Sequence, residues 1–194
     1  MANIYDELFM SKFRTSDNKR FLTNAAIEQI LSPSAIQFCI RNAKIESTKK
    51  DECLEVVLAG GKKVMAVLVL MKRVELLVRF VERDGLPEVG NLDSKLPFKF
   101  DDLIEIMDGK QAIAMEFESM QWEVTLPFFR RERTCRLFRG ETIIPFITKD
   151  CLGEGAFGDV YNVSIPGGQH GFGNQFGSPV RVTSSFKNPK FNII

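Results

Sequence analysis

The sequence predicts an α+β chain: a helical N-terminal domain over residues 1–110, a connecting segment with short strands over 111–146, and a β-hairpin region over 147–194. Two observations carry this. Between Gly61 and Asp84, apolar residues recur at threes and fours, the spacing of one buried helix face. Around residue 150, β-branched stretches flank the segment Gly153-Glu154-Gly155-Ala156-Phe157-Gly158, which reads as strand, turn and strand.

The elements follow in chain order. Ile4, Leu8, Phe9 and Phe13 give Ile4 to Phe13 an amphipathic helical pattern. A second helix is expected from near Asn24, carrying Ile27, Ile30 and Leu31, and it stops at Ser32-Pro33. That pair also starts the next helix, because Ser32 can cap exposed N–H groups and proline suits the first helical position. Ile36, Cys39 and Ile40 then share a face, and Lys49 to Glu52 reads as a solvated turn entering a further helix. The stripe of Val64, Val67, Leu68, Met71, Val74, Leu77, Val78 and Val81 predicts one long helix closed by Gly85 and Pro87. It is apolar nearly all round near its middle, as expected of a helix held between others, and it is assigned no chemistry.

Residues 86–97 read as a loop, followed by a short helix from Phe100 to Met107. Asp101 and Asp102 fall in its first turn, where the helix dipole favours acids. That role is preferred to a catalytic pair. Residues 113–117 and 122–126 alternate over lengths too short to separate strand from helix. The cluster Arg130-Arg131-Glu132-Arg133 could grip phosphate or RNA, although a solvated turn is the preferred reading. Cys135 to Phe138 and Ile143 to Ile147 are expected as short strands, and the Gly-, Asn- and Ser-rich tail from Gly167 as irregular.

Composition narrows the function classes. Hydrophobic residues make up 44% of the 194, including 17 Phe, enough for a packed core. The net charge of +1, from 26 basic and 25 acidic residues, gives the chain as a whole no pull toward nucleic acid or membrane. The N-terminus lacks the pattern of a secretory signal. The longest apolar run, Val64 to Met71, is far short of the ~20 residues that span a bilayer. Cys39, Cys53, Cys135 and Cys151 are scattered, and His170, in a glycine-rich loop, is the one histidine. Free thiols in a reducing compartment, cytoplasm or nucleus, are expected, with no metal site and no catalytic residue.

The segment Ile147 to Ile165, ITKDCLGEGAFGDVYNVSI, fits the pattern GxGxxGxV. Gly153, Gly155 and Gly158 would let a tight turn bring backbone N–H groups against nucleotide phosphates, where a Cβ would obstruct. Leu152 and Val160 can roof an adenine ring, Glu154 and Ala156 complete the loop, and Phe157 can cover phosphates at its tip. Dinucleotide-binding folds share this glycine spacing, but there the glycines lead from a strand into a helix. Here the residues after Gly158 alternate as a strand does and run into Pro166-Gly167-Gly168.

At these residues the chain resembles the eukaryotic protein-kinase family. More narrowly, it is similar to fungal kinase-domain proteins with a helical N-terminal extension, through the stretch AGGKKVMAVLVLMKRVELLVRFVERDGLPE, the stretch QWEVTLPFF, and ETIIPF ahead of the glycines. The resemblance implies ATP as ligand, with Mg in a complete domain, and phosphoryl transfer to Ser or Thr. It also implies a lysine on the third strand of the kinase N-lobe. Thr183 occupies the expected place, which leaves Lys187 for that role. No HRD or DFG motif occurs in these residues, so a partial kinase N-lobe, truncated after the loop and inactive alone, is the expectation. The alternative is a helical interaction or regulatory module, with protein partners, carrying a vestigial loop.

Overall fold

The computed structural model describes residues 3–83, 91–130, 135–154, 159–171, 180–187 and 190–193. For 135–137 and from 180 onward it describes the backbone alone. The protein is mixed α+β, with eight α-helices and two antiparallel sheets among the described residues. The chain divides into two units, residues 1–11 with 26–125, and residues 12–25 with 126–194.

The first unit is helical. Helix α1 (Ile4–Met10) is capped by Asn3, whose side chain accepts from the Tyr5 N–H at 3.2 Å. Helix α2 (Asn24–Ile30) leads to Ser32, whose hydroxyl accepts from the Ala35 N–H at 3.3 Å and opens α3 (Pro33–Asn42), as the sequence indicates. Helix α4 (Ser47–Gly60) absorbs Lys49 to Glu52, so these residues are a helical face and not a turn. Helix α5 (Lys62–Leu70) has every residue from Val64 to Leu70 buried. Burial of each large apolar side chain contributes about 1.5–3 kcal/mol, so α5 is the core around which the unit packs.

The expected single helix over 61–84 is in fact two. After α5 the chain turns at Lys72, whose φ of 57° is left-handed, before a 3₁₀ turn and helix α6 (Leu77–Arg83). The Arg73 N–H donates to the Leu68 carbonyl and the Lys72 N–H to the Val69 carbonyl, the paired bonds that close a helix. Neither glycine nor proline marks this break. The Lys72 ammonium lies 4.4 Å from the centre of the Tyr5 ring.

Helix α5 also borrows its N-terminal cap. Gly61 precedes it without a side-chain cap, and Asp93, from the segment Leu92–Lys95, supplies one. The Lys63 N–H donates to both Asp93 oxygens at 3.0 Å and the Val64 N–H to Oδ1 at 3.1 Å. Close approach of this segment needs Gly60. A Cβ there would stand 2.8 Å from the Asn91 side chain.

Helices α7 (Phe100–Ile106) and α8 (Gln111–Gln121) complete the unit, and α8 settles residues 113–117 as helix. Phe80, Phe98 and Phe117 form an aromatic cluster with ring centroids 5.0–6.1 Å apart. The fully buried Gln121 amide is satisfied by the backbone of Phe98, at 2.8 and 3.1 Å.

The second unit is β-rich. Strands β1 (Phe13–Arg14) and β2 (Arg20–Phe21) form a short hairpin, so the first helix ends at Met10 and does not reach Phe13 as its amphipathic pattern predicts. Strands β3 (Cys135–Leu137), β4 (Thr148–Gly153), β5 (Asp159–Ile165), β6 (Val180–Lys187) and β7 (Lys190–Ile193) build a five-stranded antiparallel sheet ordered β3-β7-β6-β5-β4. Residues 143–147 are not a strand as expected, and Pro145, lacking an N–H, cannot donate to a ladder there. The expected irregular tail contains β6 and β7, because Val180, Val182, Thr183 and Phe186 suit a ladder that β5 provides. Phe129, Phe146, Val163 and Ile165 form this unit's core, with Phe138, Ile144 and Tyr161 packed against it.

Candidate functional site

The glycine-rich segment joins two antiparallel strands. Pairs run from Thr148 with Ser164 to Cys151 with Tyr161, and then Gly153 with Val160. Between Cys151 and Gly153 the register shifts, so Leu152 is the extra residue of a bulge. Such a bulge re-aims its side chain, and Leu152 is 61% exposed.

Alternation places Tyr161, Val163 and Ile165 toward the Phe129–Phe146 core and leaves Val160, Asn162 and Ser164 on the opposite side of β5. Val160 is half-buried there. A Cβ at Gly153 would meet no described atom within 4 Å, and its φ lies outside the left-handed region. Neither packing nor backbone conformation among the described residues requires a glycine at 153.

Around Tyr161 the contacts are polar. Its hydroxyl donates to Asp159 at 3.4 Å, and the Lys149 ammonium lies 4.2 Å from the ring centre. Loss of hydration raises the Tyr161 pKa, and the Asp159 carboxylate raises it further. Tyr161 is held by this pair as an anchor of the hairpin.

Of the predicted residues, Leu152, Gly153, Glu154 and Val160 are described and lie together at the loop end of the hairpin. Gly155, Ala156, Phe157 and Gly158 lie outside the described residues. Lys187 ends β6, two positions beyond Ser185, the register partner of Val160. Thr183 pairs with Asn162, further from the loop. His170 is buried, and its residue bridges Phe129.

Asp102 is tied to Arg83. Arg83 donates to the Asp102 carboxylate at 2.8 Å and holds its pKa below the ordinary range, and the same guanidinium reaches Glu105 at 3.0 Å. Among the described residues no group of three or more His, Cys, Asp or Glu is placed to hold a metal ion, and no helix is long and apolar enough to cross a membrane.

Sequence reasoning missed one feature of this unit. Residues 12–25, read as the end of one helix and the approach to the next, join the β-rich unit through a hairpin rich in Lys and Arg. The signal available was Asp17-Asn18, a turn pair between Phe13-Arg14 and Arg20-Phe21. Comparison of the chain with protein-family models, with curated proteins and with solved structures finds no match.

Proposed function

We propose that the β4–β5 hairpin is an ATP-binding glycine-rich loop of protein-kinase type. The observation that carries the reading is the antiparallel pairing of β4 with β5 on either side of Gly153 to Gly158. A dinucleotide-binding fold would enter a helix at that point. Gly153 adds support: the protein's own described atoms leave open space beside it, as a close-approaching ligand would require. Leu152 and Val160 would cover the adenine ring, and the backbone of 153–158 would hold phosphates. Lys187, at the loop end of the adjacent strand, is the residue for the α- and β-phosphates. ATP would supply the phosphoryl group, but these residues include no HRD or DFG motif, so the activity proposed for this polypeptide is binding. A reducing compartment, cytoplasm or nucleus, belongs to the same reading. Titration with a fluorescent ATP analogue tests it: an enhancement reversed by excess ATP supports the loop, and no enhancement removes it.

One observation favours a second reading, a helical interaction or regulatory module. Phe38 is 47% exposed between two clefts of about 660 and 700 Å³, both also lined by Ile4 and Asn42. Binding of a hydrophobic dye to the native chain, reduced by Phe38→Ser, would support this reading. A native chain that binds no dye would remove it.

A further inference from the structure

On the helical unit, the start of α1, the end of α3, the end of α5 and the 3₁₀ turn after it border a cleft of about 660 Å³. Small-molecule sites run from ~300 to ~1,000 Å³, so this cleft is of ligand size. Ile4, Phe38, Val69 and Val74 give it apolar walls, and Lys44, Lys72 and Glu75 are its charged groups. Ligand binding here needs neither the glycine-rich loop nor a protein partner.

Lys72 is the unusual member of this lining. It stands directly after Met71, the C-cap of α5, at a φ of 57°. Glycine adopts that left-handed conformation freely, whereas a Cβ strains it, so glycine is the residue that most often ends a helix there. As a helix terminator, lysine therefore does worse than glycine would. The α5 dipole does not require it either, because Arg73 follows directly. What the side chain adds is an ammonium at the wall of the cleft, 4.4 Å from the centre of the Tyr5 ring. The ring face positions that ammonium without neutralising it. Backbone strain retained at one residue is characteristic of sites where its side chain has a task.

Lys44, just past the end of α3, lines the same cleft. Neither Lys44 nor Lys72 forms an ion pair among the described residues, and Glu75 is the one acid in the lining. The charges of the cleft thus favour an anion, and its walls favour an apolar body. We propose that it binds a small organic acid, a carboxylate carried on an aromatic or branched apolar group. Lys72 and Lys44 meet the carboxylate, and Ile4, Phe38 and Val74 surround the body. A neutral molecule of the same shape would fill the walls and leave both ammonium groups unused.

Titration of the isotope-labelled full chain with naphthylacetate, and with naphthylacetamide as its neutral twin, tests this through backbone amide chemical shifts. A fragment of this size is expected to bind with a Kd of about 1 mM. Saturable shifts should be confined to residues 3–5, 38–44 and 69–75. The amide should bind about fivefold more weakly at low salt, and the gap should narrow as salt rises. Lys72→Gly should weaken carboxylate binding about fivefold, while the melting temperature holds or rises with the strain removed. Absence of saturable shifts below about 10 mM overturns the proposal. Equal affinity for the amide, or a Lys72→Gly variant that binds the carboxylate like the parent, does the same. Should Lys72→Gly melt lower, Lys44→Gln decides on an intact fold: weakened carboxylate binding upholds the proposal, and binding equal to the parent's overturns it.

Discussion

Replacing Asp93 by alanine removes the cap of α5 from a segment some thirty residues away in sequence. The two backbone N–H groups of Lys63 and Val64 then lose their acceptor, and Gly61 has no side chain to replace it. Loss of an N-cap costs about 1 kcal/mol, up to about 2. An orphaned, partly buried donor adds about 1–3 kcal/mol. Taking the lower half of both ranges gives about 2–3 kcal/mol. For a chain of this size that corresponds to a fall in melting temperature of about 5–10 °C. Urea denaturation followed by circular dichroism measures it, with an unchanged m-value as the check that only stability moved. Asp93→Asn keeps a carbonyl acceptor and should cost about half as much. A loss below about 0.5 kcal/mol for the alanine variant would refute the reasoning, because it would mean that α5 needs no borrowed cap.

The remaining predictions concern the same unit. Burial raises the Asp93 pKa, outweighing the two backbone N–H groups and Lys63, which lower it. Stability from this group is therefore fully present below the ordinary carboxylate value and is lost as pH rises through the raised folded value. The cost of Asp93→Asn, which cannot titrate, should be larger near pH 3 than near pH 7, and the opposite order in paired denaturation curves would reverse the sign assigned here. Phe117→Ala opens the Phe80–Phe98–Phe117 cluster and should cost about 3–5 kcal/mol by the same denaturation assay. Desolvation pushes the buried Cys53 thiol up to about 11. Mass mapping after brief alkylation near pH 8 should find exposed Cys151 modified well before Cys53. Equal labelling would mean that the core around Cys53 opens readily.

The parts of the fold that were legible in the sequence are those written locally. Ser32-Pro33 announces a helix start, and the apolar run of α5 announces burial on all sides. The glycines between two alternating stretches announce a hairpin. The errors share a cause, which is information carried by distant residues or by an uncommon backbone conformation. Lys72 adopts a left-handed turn with no glycine to advertise it, so two helices read as one. Phe13 continues an amphipathic stripe, but its stacking partner Phe21 lies across a turn that Asn18 makes at a φ of 63°. Asp93 reads as a loop acid until it is seen on α5.

For the candidate site, the strand–turn–strand arrangement follows from the β-prone flanks. The bulge at Leu152 does not, because it depends on how β4 meets β5 and not on either strand alone.

The most direct test of the nucleotide reading is calorimetric titration of the purified 194-residue chain with Mg-ATP, beside a Gly155→Val, Gly158→Val double variant. The expected result is saturable binding to the parent chain that is lost in the variant while the melting temperature stays the same. Absence of heat at millimolar ATP, or equal binding by the variant, would contradict it.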